Sequence, residues 1–535
     1  MIWESKSHMS IKVLRLTGIV FLGTVAGKIL GFLREMFIAA LYGASHNTDA
    51  YLVAFTVPTL ISAGLSAALT TVAVTLFADN RQTGIREKSG TFFSSLNNIV
   101  LVLGTAVSLL CVAIAPLIIR ILAPGFQGDA LSTTTFLARI MIPMSTFLLL
   151  AGLYSGVLNA EGNFSAPALK SISYNLCIIA FIVVAGQHLG IEALAIGTMI
   201  GGISQAIIQI PALFKKGYRF KPVIRIDSGI LTAIRMLLPI LIGVAVSQVN
   251  QIIDRMFAST LTEGSIAALS FGYRIFDLPG GLFINSILTV AYPSLVRTTT
   301  SEQGDFRKAM SRSISIISFV ATPLAISMIT FREPLVRAIY MRGAFEESAV
   351  GTTAIALAFY AVGFLPLAIN DMLKRGFWAN KDTKTPVLVS IGAVLFNILF
   401  NALLIGRMGH GGLALGTSLS MLLATVLLGE IAHRKEYFSW TELQVSLFKT
   451  IVAGGVMGVG MALMLWLVDS IIPLHAAGFL LNILSLVIIG AIGLGIYYFT
   501  SRLLKTEAVR YFHNNVIDPF RIKLRQLVSH RQSNT

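Results

Sequence analysis

The sequence predicts an all-α polytopic membrane protein of 14 transmembrane helices, arranged as two parallel six-helix lobes plus two C-terminal helices. Three observations lead to this prediction: the composition, the number of long apolar stretches and an internal repeat. Of the 535 residues, 55% are hydrophobic and 12% are charged, and the mean hydropathy is +0.79. Because soluble proteins carry about 25% charged residues, this composition excludes a water-soluble enzyme, a disordered tail and a fibrous repeat.

Fourteen apolar stretches are long enough to span a bilayer, which requires about 20 residues per helix. They lie at 13–42, 50–78, 91–119, 133–159, 165–186, 190–214, 231–260, 264–296, 311–331, 350–379, 385–407, 410–432, 447–469 and 475–501. Several reach about 30 residues, which predicts tilted or kinked helices. Residues 506–528 carry basic side chains (Arg510, Arg521, Lys523, Arg525) beside apolar ones (Val509, Phe512, Phe520, Leu524), and this mixture predicts an amphipathic tail on the membrane surface.

The basic residues indicate the orientation of the chain in the membrane. There are 41 Lys and Arg against 25 Asp and Glu, a formal charge of +16. Most of the basic residues fall in the segments that are cytoplasmic if the N-terminus is inside, and Lys170 is counted among them. This is the positive-inside pattern, so both termini are expected in the cytoplasm. The pattern also accounts for the positive charge without a nucleic-acid partner.

An internal repeat divides most of the chain into two similar halves. Residues 34–37 (Arg-Glu-Met-Phe) match 254–257 (Asp-Arg-Met-Phe) at an offset of 220, and 194–198 match 413–417 at an offset of 219. The predicted domains are an N-terminal six-helix lobe (1–225), a C-terminal six-helix lobe (226–445), two extra transmembrane helices (446–505) and a cytoplasmic tail (506–535). An even number of spans per half makes the repeats parallel, and transporters built from repeats bind substrate between them.

Several charged residues lie inside the predicted spans, where each costs about 2.5–3.5 kcal/mol at the bilayer centre. They are Lys28, Arg34, Glu35, Asp254, Arg255, Arg274 and Asp277, with Asp49 at the start of the second span. Individual side chains could reach the interface or pair with one another. A water-filled cavity with excess positive charge explains the presence of the whole group inside the spans better than these separate explanations do. Phosphate or diphosphate is the natural ligand of such a cavity.

A second group of polar residues carries almost no charge. Asn397 and Asn401 are four residues apart and share a helix face, and Thr417 and Asp254 could complete an oxygen-rich cluster. Such oxygen ligands suit a hard cation, here sodium. From the spacing alone, hydrogen bonding between helices is the favoured interpretation, because membrane Asn and Thr commonly serve that purpose.

The sequence contains no motif that predicts catalysis. Residues 23–28 (Gly-Thr-Val-Ala-Gly-Lys) approach a phosphate-binding loop but are one residue short, and Ile29 stands where the magnesium-binding Ser or Thr is needed. No enzymatic activity, ATPase included, and no organic cofactor are therefore expected.

Motifs along most of the chain resemble those of the MurJ (MviN) family, the lipid II flippases of the multidrug/oligosaccharidyl-lipid/polysaccharide exporter superfamily. The similar stretches are Gly31–Glu35, Thr48–Tyr51, Leu122–Phe126, Ser155–Ala160, Arg342–Phe345, Lys381–Pro386 and Gly412–Leu419. The resemblance implies two six-helix lobes, two C-terminal helices that form a groove for a lipid tail, and a cationic central cavity for a diphosphate-sugar head group.

The resemblance also implies site residues. Lys28, Arg34, Asp49 and Arg274 match the family's substrate-binding positions, and a possible sodium site maps onto Asp254, Asn397, Asn401, Leu413 (backbone) and Thr417. This agreement shifts the interpretation of the amide cluster towards sodium. Four positions depart from the family pattern. Tyr273 replaces an Asp and Ala63 falls near an expected Arg, while Lys28 stands in place of an Arg and Asn401 in place of a carboxylate found in some members. These departures leave room for a paralogue with another substrate.

The leading hypothesis is a flippase in the bacterial cytoplasmic membrane that carries lipid-linked peptidoglycan precursor to the outer leaflet by alternating access, in cell-wall biogenesis. The expected partners are an undecaprenyl-diphosphate-linked glycan lipid, the membrane and cell-wall synthesis enzymes, with membrane potential or Na⁺ as the coupling agent. The alternatives are a flippase for another such glycan (an exopolysaccharide), a cation-coupled drug antiporter, which would favour an acidic cavity, and a non-transporting scaffold.

Overall fold

The computed structural model describes residues 2–82, 86–299, 303–471 and 479–512. Within these ranges the chain forms α-helices joined by short turns, and no strand occurs. A polar backbone in lipid must satisfy its own hydrogen bonds, and a helix does so within one segment. The predicted all-α fold class is therefore confirmed.

The first half of the chain contains nine helices among the described residues. They are α1 (Ile2–Tyr42), α2 (His46–Gln82), α3 (Arg86–Ala113), α4 (Ala115–Leu122), α5 (Gly128–Met141), α6 (Met144–Ala160), α7 (Ser165–Leu189), α8 (Ile191–Ile207) and α9 (Ile210–Lys215).

The second half continues with helices up to Phe512. They are α10 (Ser228–Ala258), α11 (Ser265–Pro279), α12 (Asn285–Thr298), α13 (Gln303–Thr330), α14 (Arg332–Tyr340), α15 (Glu347–Val362), α16 (Phe364–Ala379), α17 (Lys384–Arg434), α18 (Trp440–Ile471), α19 (Phe479–Leu503) and α20 (Glu507–Phe512). A π-helical segment, Gly280–Ile284, joins α11 to α12.

Each predicted apolar stretch lies on a helix or on consecutive helices, apart from the few residues of 475–501 that fall outside the described ranges. Ten helical segments of the described residues are long and apolar enough to cross a membrane, and three of them combine consecutive helices (α5–α6, α8–α9 and α11–α12). The pair α15–α16, bent by 41°, would make an eleventh. The chain is thus a multi-pass membrane protein. The full number of 14 spans is consistent with these helices but stays a prediction, and of the tail only α20 lies within the described residues.

Helix α17 contains two predicted spans, 385–407 and 410–432, which meet at a break. Gly409 has φ 54° and ψ −133°, a left-handed conformation that glycine adopts without a steric penalty. The chain therefore turns at this residue although its hydrogen bonding is nearly continuous. The equivalent Gly190, which separates α7 from α8, has φ 55° and ψ −137°. The internal repeat thus places the same turn at the same point of each half.

Small residues set the packing of α1 against α7. A Cβ added to Gly23, Gly27 or Gly31 would meet Ala168, Ser171 or Asn175, respectively, at 2.9, 2.8 and 3.6 Å. Glycines four residues apart form one helix face and let membrane helices approach closely. The stretch that approached a phosphate-binding loop in the sequence is therefore a helix-packing face.

The described chain divides into two compact units. Unit 1 comprises Met1–Ala267 and Tyr340–Ala349, and unit 2 comprises Ala268–Ile339 and Val350–Thr535. In unit 1, α6 packs on α2, where Gly152 and Gly156 approach Ser66 and Thr70. In unit 2, α18 packs on α13 through Gly454 and Gly458, which lie against Thr322 and Ile326. The predicted lobe boundaries and the predicted lipid-tail groove stay predictions.

Candidate functional site

Arg34 occupies a buried polar position on α1, where its side chain is 11% exposed. Its Nη2 lies 2.6 Å from Glu35 Oε1, and its Nη1 donates a hydrogen bond of 3.1 Å to Asn175 Oδ1 on α7. The guanidinium also lies over the ring of Tyr174, 5.4 Å from its centroid, a favourable cation–π arrangement. Its Nε is buried and has no hydrogen-bond partner among the described residues.

Asn175 ties this arginine to the α1–α7 contact. Its Nδ2 donates to the carbonyl oxygens of Ser171 at 2.8 Å and Gly27 at 3.2 Å, while its Oδ1 accepts from Arg34. One buried amide therefore holds the backbone of α1 and the cation on α1 at once. Arg34 was predictable from the sequence, whereas the role of Asn175 was not, because its one signal is an amide inside an apolar stretch.

Lys28 is half-buried on α1, six residues before Arg34, whereas Arg274 is exposed on α11. Lys28, Arg34 and Asp49 belong to unit 1, and Arg274 belongs to unit 2. Lys170, one of the basic residues predicted to lie on the cytoplasmic side, is half-buried in the second turn of α7. The structure thus places three of the four predicted substrate residues in one compact unit.

Asp49 caps the start of α11. Its side chain is almost fully buried; Oδ2 accepts a hydrogen bond from the N–H of Gly264 and Oδ1 accepts one from the N–H of Ala267, each 2.7 Å long. Helix N-termini leave backbone N–H groups without intrahelical acceptors and carry partial positive charge, so a carboxylate is well placed there. The carboxylate of Asp49, one of the predicted substrate residues, is therefore directed at a helix N-terminus.

Three glycines with positive φ make close backbone contacts in the same unit as Asp49. Gly43 (φ 65°), Gly264 (φ 82°) and Gly343 (φ 57°) each bring a backbone carbonyl so close that an added Cβ would lie 2.2–2.5 Å from it. The N–H of Ala344 donates to the carbonyl of Ala40 at 2.8 Å, which ties 340–349 to the end of α1. The Arg342–Phe345 motif thus serves backbone packing beside the capped helix.

The predicted amide cluster forms in unit 2. Asn401 Nδ2 donates to Asn397 Oδ1 at 3.1 Å, and Asn397 Nδ2 lies 3.5 Å from Thr417 Oγ1. Thr417 Oγ1 in turn donates to the carbonyl of Leu413 at 3.0 Å. An added Cβ on Gly416 would lie 2.5 Å from Asn401 Oδ1, so the glycine makes room for this amide.

These oxygens fit a hard cation by their chemistry, since amide, hydroxyl and carbonyl oxygens are its preferred ligands. Asp254, the fifth predicted ligand, belongs to unit 1, where its Oδ2 accepts a hydrogen bond of 3.4 Å from Asn250. The described residues contain no group of three or more His, Cys, Asp or Glu side chains that could hold a metal. The sodium site as a whole stays a prediction.

The two halves of the internal repeat differ at the positions of the amide cluster. The positions 219 residues before Asn397 and Asn401 are Ile178 and Ile182, whereas Thr198 corresponds to Thr417. In the first half Thr198 Oγ1 pairs with the Tyr51 hydroxyl at 2.9 Å. The repeat therefore keeps the threonine and replaces the amides by apolar side chains, so the oxygen cluster is confined to the second half.

Comparison with known proteins identifies the family. The family model described as "Lipid II flippase MurJ" matches residues 38–503. The chain belongs to this family. The matched range contains Asp49 and all the predicted cation ligands, and it begins four residues after Arg34. The family assignment confirms the resemblance found in the sequence.

Curated relatives match nearly the whole chain. The "Probable lipid II flippase MurJ" of Vibrio cholerae is 28% identical over 495 residues, which cover 90% of this chain and 94% of the relative. A protein of the same description from Buchnera aphidicola subsp. Acyrthosiphon pisum is 28% identical over 508 residues, 93% and 98% of the two chains. The "Lipid II flippase MurJ" of Burkholderia cenocepacia is 28% identical over 419 residues, 76% and 81%.

Solved structures show the same fold. A lipid II flippase MurJ in an inward closed conformation superposes with a TM-score of 0.74 at 23% identity, covering 90% of this chain and 98% of the other. An inward-facing multidrug resistance MATE transporter gives a TM-score of 0.66 at 13% identity, covering 77% and 94%. The chain therefore has the fold shared by these two groups of transporters.

Proposed function

We propose that this protein translocates lipid II from the cytoplasmic to the outer leaflet of the bacterial cytoplasmic membrane by alternating access, with both termini in the cytoplasm. The observation that carries the proposal is membership of the MurJ family over residues 38–503. The buried Arg34 adds chemical support, because an arginine inside a membrane helix marks a substrate path by default. No enzymatic step is needed for this activity.

Lys28, Arg34 and Arg274 bind the diphosphate of the lipid in this proposal. Arg34 is held by Asn175 and Glu35, which leaves the buried N–H of its Nε for a further acceptor. A phosphate group is a stronger acceptor for guanidinium than a neutral group, and two of its oxygens can accept two parallel hydrogen bonds from the same guanidinium. The diphosphate thus competes with Glu35 for the same cation.

Asp49 contributes to the conformational change. Its two hydrogen bonds hold Gly264 and Ala267 within unit 1, and the remainder of α11 from Ala268 onwards belongs to unit 2. Alternating access moves one half of the protein against the other. In this proposal the Asp49 cap and the Ala40–Ala344 backbone contact, both within unit 1, hold the start of α11 in place while the remainder of that helix moves.

Sodium is the proposed coupling ion. Asn397, Asn401, Leu413 and Thr417 would hold it together with Asp254, and the ion would supply positive charge beside that carboxylate. The test uses Gly416→Ala, whose methyl group would displace Asn401 Oδ1, against Gly406→Ala, where the space is open. We expect NaCl, compared with choline chloride, to raise the unfolding temperature of the wild type and of Gly406→Ala but not that of Gly416→Ala. An equal sodium response in all three would exclude this site.

The decisive experiment measures lipid II on the outer leaflet of cells depleted of this protein. We expect exposed lipid II to fall, and to be restored by the wild type but not by Arg34→Ala. The matched control is Arg434→Ala, whose side chain is 76% exposed at the end of α17 and whose loss should have no effect. Unchanged lipid II after depletion would instead favour another undecaprenyl-diphosphate-linked glycan as the substrate, and dye resistance would favour a drug antiporter.

A further inference from the structure

A cavity of about 580 Å³ lies in unit 2, between the end of α13, the helix α14 and the end of α18. Its lining combines charged, aromatic and apolar side chains: Ile329, Arg332, Glu333, Arg337, Leu465, Trp466 and Asp469. None of these residues belongs to the proposed substrate or sodium sites, so the cavity needs a separate explanation.

The cavity lies at a membrane boundary. The apolar part of α13 ends at Thr330, which lines the cavity, and that of α18 ends at Ile471, two residues after the lining residue Asp469. Trp466 is 67% exposed, and exposed tryptophans of membrane helices concentrate where lipid head groups meet acyl chains. With the N-terminus in the cytoplasm, both helices end at the outer surface, so the cavity faces the outer leaflet.

The charges around the cavity are balanced in sign. Arg332 and Arg337 carry positive charge, and Glu333 and Asp469 carry negative charge. Arg332 uses Nη1 for a hydrogen bond of 3.3 Å to the carbonyl of Ile329, which engages one of the five N–H donors of its guanidinium. A diphosphate would favour excess positive charge instead. The lining therefore suits a ligand that carries one charge of each sign.

We propose that this cavity binds the head group of an outer-leaflet phospholipid that carries both a phosphate and a primary ammonium, as phosphatidylethanolamine does. The phosphate lies against Arg332, and the ammonium lies against Glu333. Leu465 and Trp466 contact the start of the acyl chains, because an aromatic ring with one polar edge suits that depth. This binding is independent of whether the protein transports lipid II.

The test is native mass spectrometry of the full chain in detergent with equal concentrations of phosphatidylethanolamine and phosphatidylglycerol. We expect one retained phosphatidylethanolamine, preferred about tenfold, which corresponds to the loss of one charge-assisted contact. The double variant Arg332→Gln/Glu333→Gln should lose this preference. The matched control is Arg434→Gln/Glu430→Gln, an Arg–Glu pair at the end of α17 with 2.9 Å between Arg434 Nε and Glu430 Oε1, and it should keep the preference.

A second measurement uses the unmutated chain and does not depend on the variants folding. Phosphatidylethanolamine should raise its unfolding temperature more than phosphatidylglycerol does. The proposal would be overturned if the wild type retained both lipids equally and was stabilised equally by them. It would also be overturned if the double variant kept the preference for phosphatidylethanolamine. A preference for phosphatidylglycerol would also overturn it and would assign the cavity to an anionic lipid.

Discussion

The carboxylate of Asp49 accepts a hydrogen bond of 2.7 Å from the N–H of Ala267, 218 residues further along the chain. A capping carboxylate satisfies N–H groups that would otherwise stay unbonded in a buried place. We predict that Asp49→Ala destabilises the purified protein by about 0.5–2 kcal/mol, the usual cost of losing a cap, and abolishes complementation of a depleted strain.

The matched control for Asp49 is Asp129→Ala. Asp129 also lies in the first turn of a helix, α5, but it is exposed. Thermal unfolding in detergent should leave this variant at the wild-type value. Equal unfolding temperatures for Asp49→Ala and Asp129→Ala would show that the cap contributes nothing measurable.

Asn175 should behave as a positioning residue for Arg34. Asn175→Leu removes the acceptor of Arg34 Nη1 and the donor to Gly27, and a buried hydrogen bond to a charged group is worth about 1.5–3 kcal/mol. We expect Asn175→Leu to bind a lipid diphosphate about tenfold more weakly. Asn175→Gln keeps a neutral amide with both an acceptor and a donor and should retain most of the affinity.

The two Asn175 variants separate positioning from a purely structural role. Lipid binding is measured by fluorescence titration, alongside thermal unfolding of each variant. If both variants lose affinity in proportion to their loss of stability, Asn175 acts only through the fold. If Asn175→Leu binds as the wild type does, Arg34 does not need this contact.

The glycine face of α1 predicts a sharp difference between two similar substitutions. A Cβ on Gly27 would lie 2.8 Å from Ser171 Oγ, whereas around Gly18 nothing lies within 4 Å. Overpacking costs about 1–3 kcal/mol, so Gly27→Val should lower the unfolding temperature and reduce membrane yield. Gly18→Val introduces the same side chain on the same helix and should leave both unchanged; equal effects would exclude close α1–α7 packing.

An ion pair between Asp382, in the turn before α17, and Lys435, directly after α17, has an effect on stability that depends on pH. Asp382 Oδ2 lies 2.6 Å from Lys435 Nζ and also accepts from the Thr385 hydroxyl. The hydrogen bond from Lys435 is the largest cause that lowers the pKa of Asp382, to about 2, and the N–H of Thr385 adds to it. A lowered pKa in the folded protein means that the stabilisation is present above the unfolded pKa of about 3.9 and is lost as the pH falls through about 2.

We therefore expect Asp382→Asn to be less stable than the wild type at pH 7, and the difference to shrink between pH 4 and pH 2. The pair is partly exposed, so the difference at pH 7 should stay below about 1 kcal/mol. Chemical unfolding at pH 7, 4 and 3 measures it. A difference that is constant across this range would assign the effect to the turn geometry and not to the charge.

The membrane nature of the chain and the positions of its helices were predictable because they depend on local composition. A run of apolar residues must bury its backbone polar groups in a helix wherever it meets lipid. The break at Gly409 also has a local cause, the positive φ that glycine adopts there, and it lies between the two predicted spans 385–407 and 410–432. The number of spans is harder to fix, because helices such as α15 and α16 are separated by a single residue, Gly363, within one apolar stretch.

The partners of the charged residues were only partly predictable. Glu35 follows Arg34 in the sequence, so their pairing was one of the stated possibilities. Asn175 lies 141 residues after Arg34, and Gly264 lies 215 residues after Asp49. Neither contact has a signal in the local pattern, because each depends on how two helices distant in sequence lie side by side.

By itself, the sequence determined that this protein is a multi-pass membrane protein with an internal repeat, charges inside its helices and the motifs of one flippase family. Only the tertiary structure decided that Arg34 is held by Asn175, that Asp49 caps α11 and that the amides of α17 meet Thr417. The physical reason is that helix formation is local, whereas side-chain contacts depend on the register between helices. In this protein small residues such as Gly27 and Gly416 set that register.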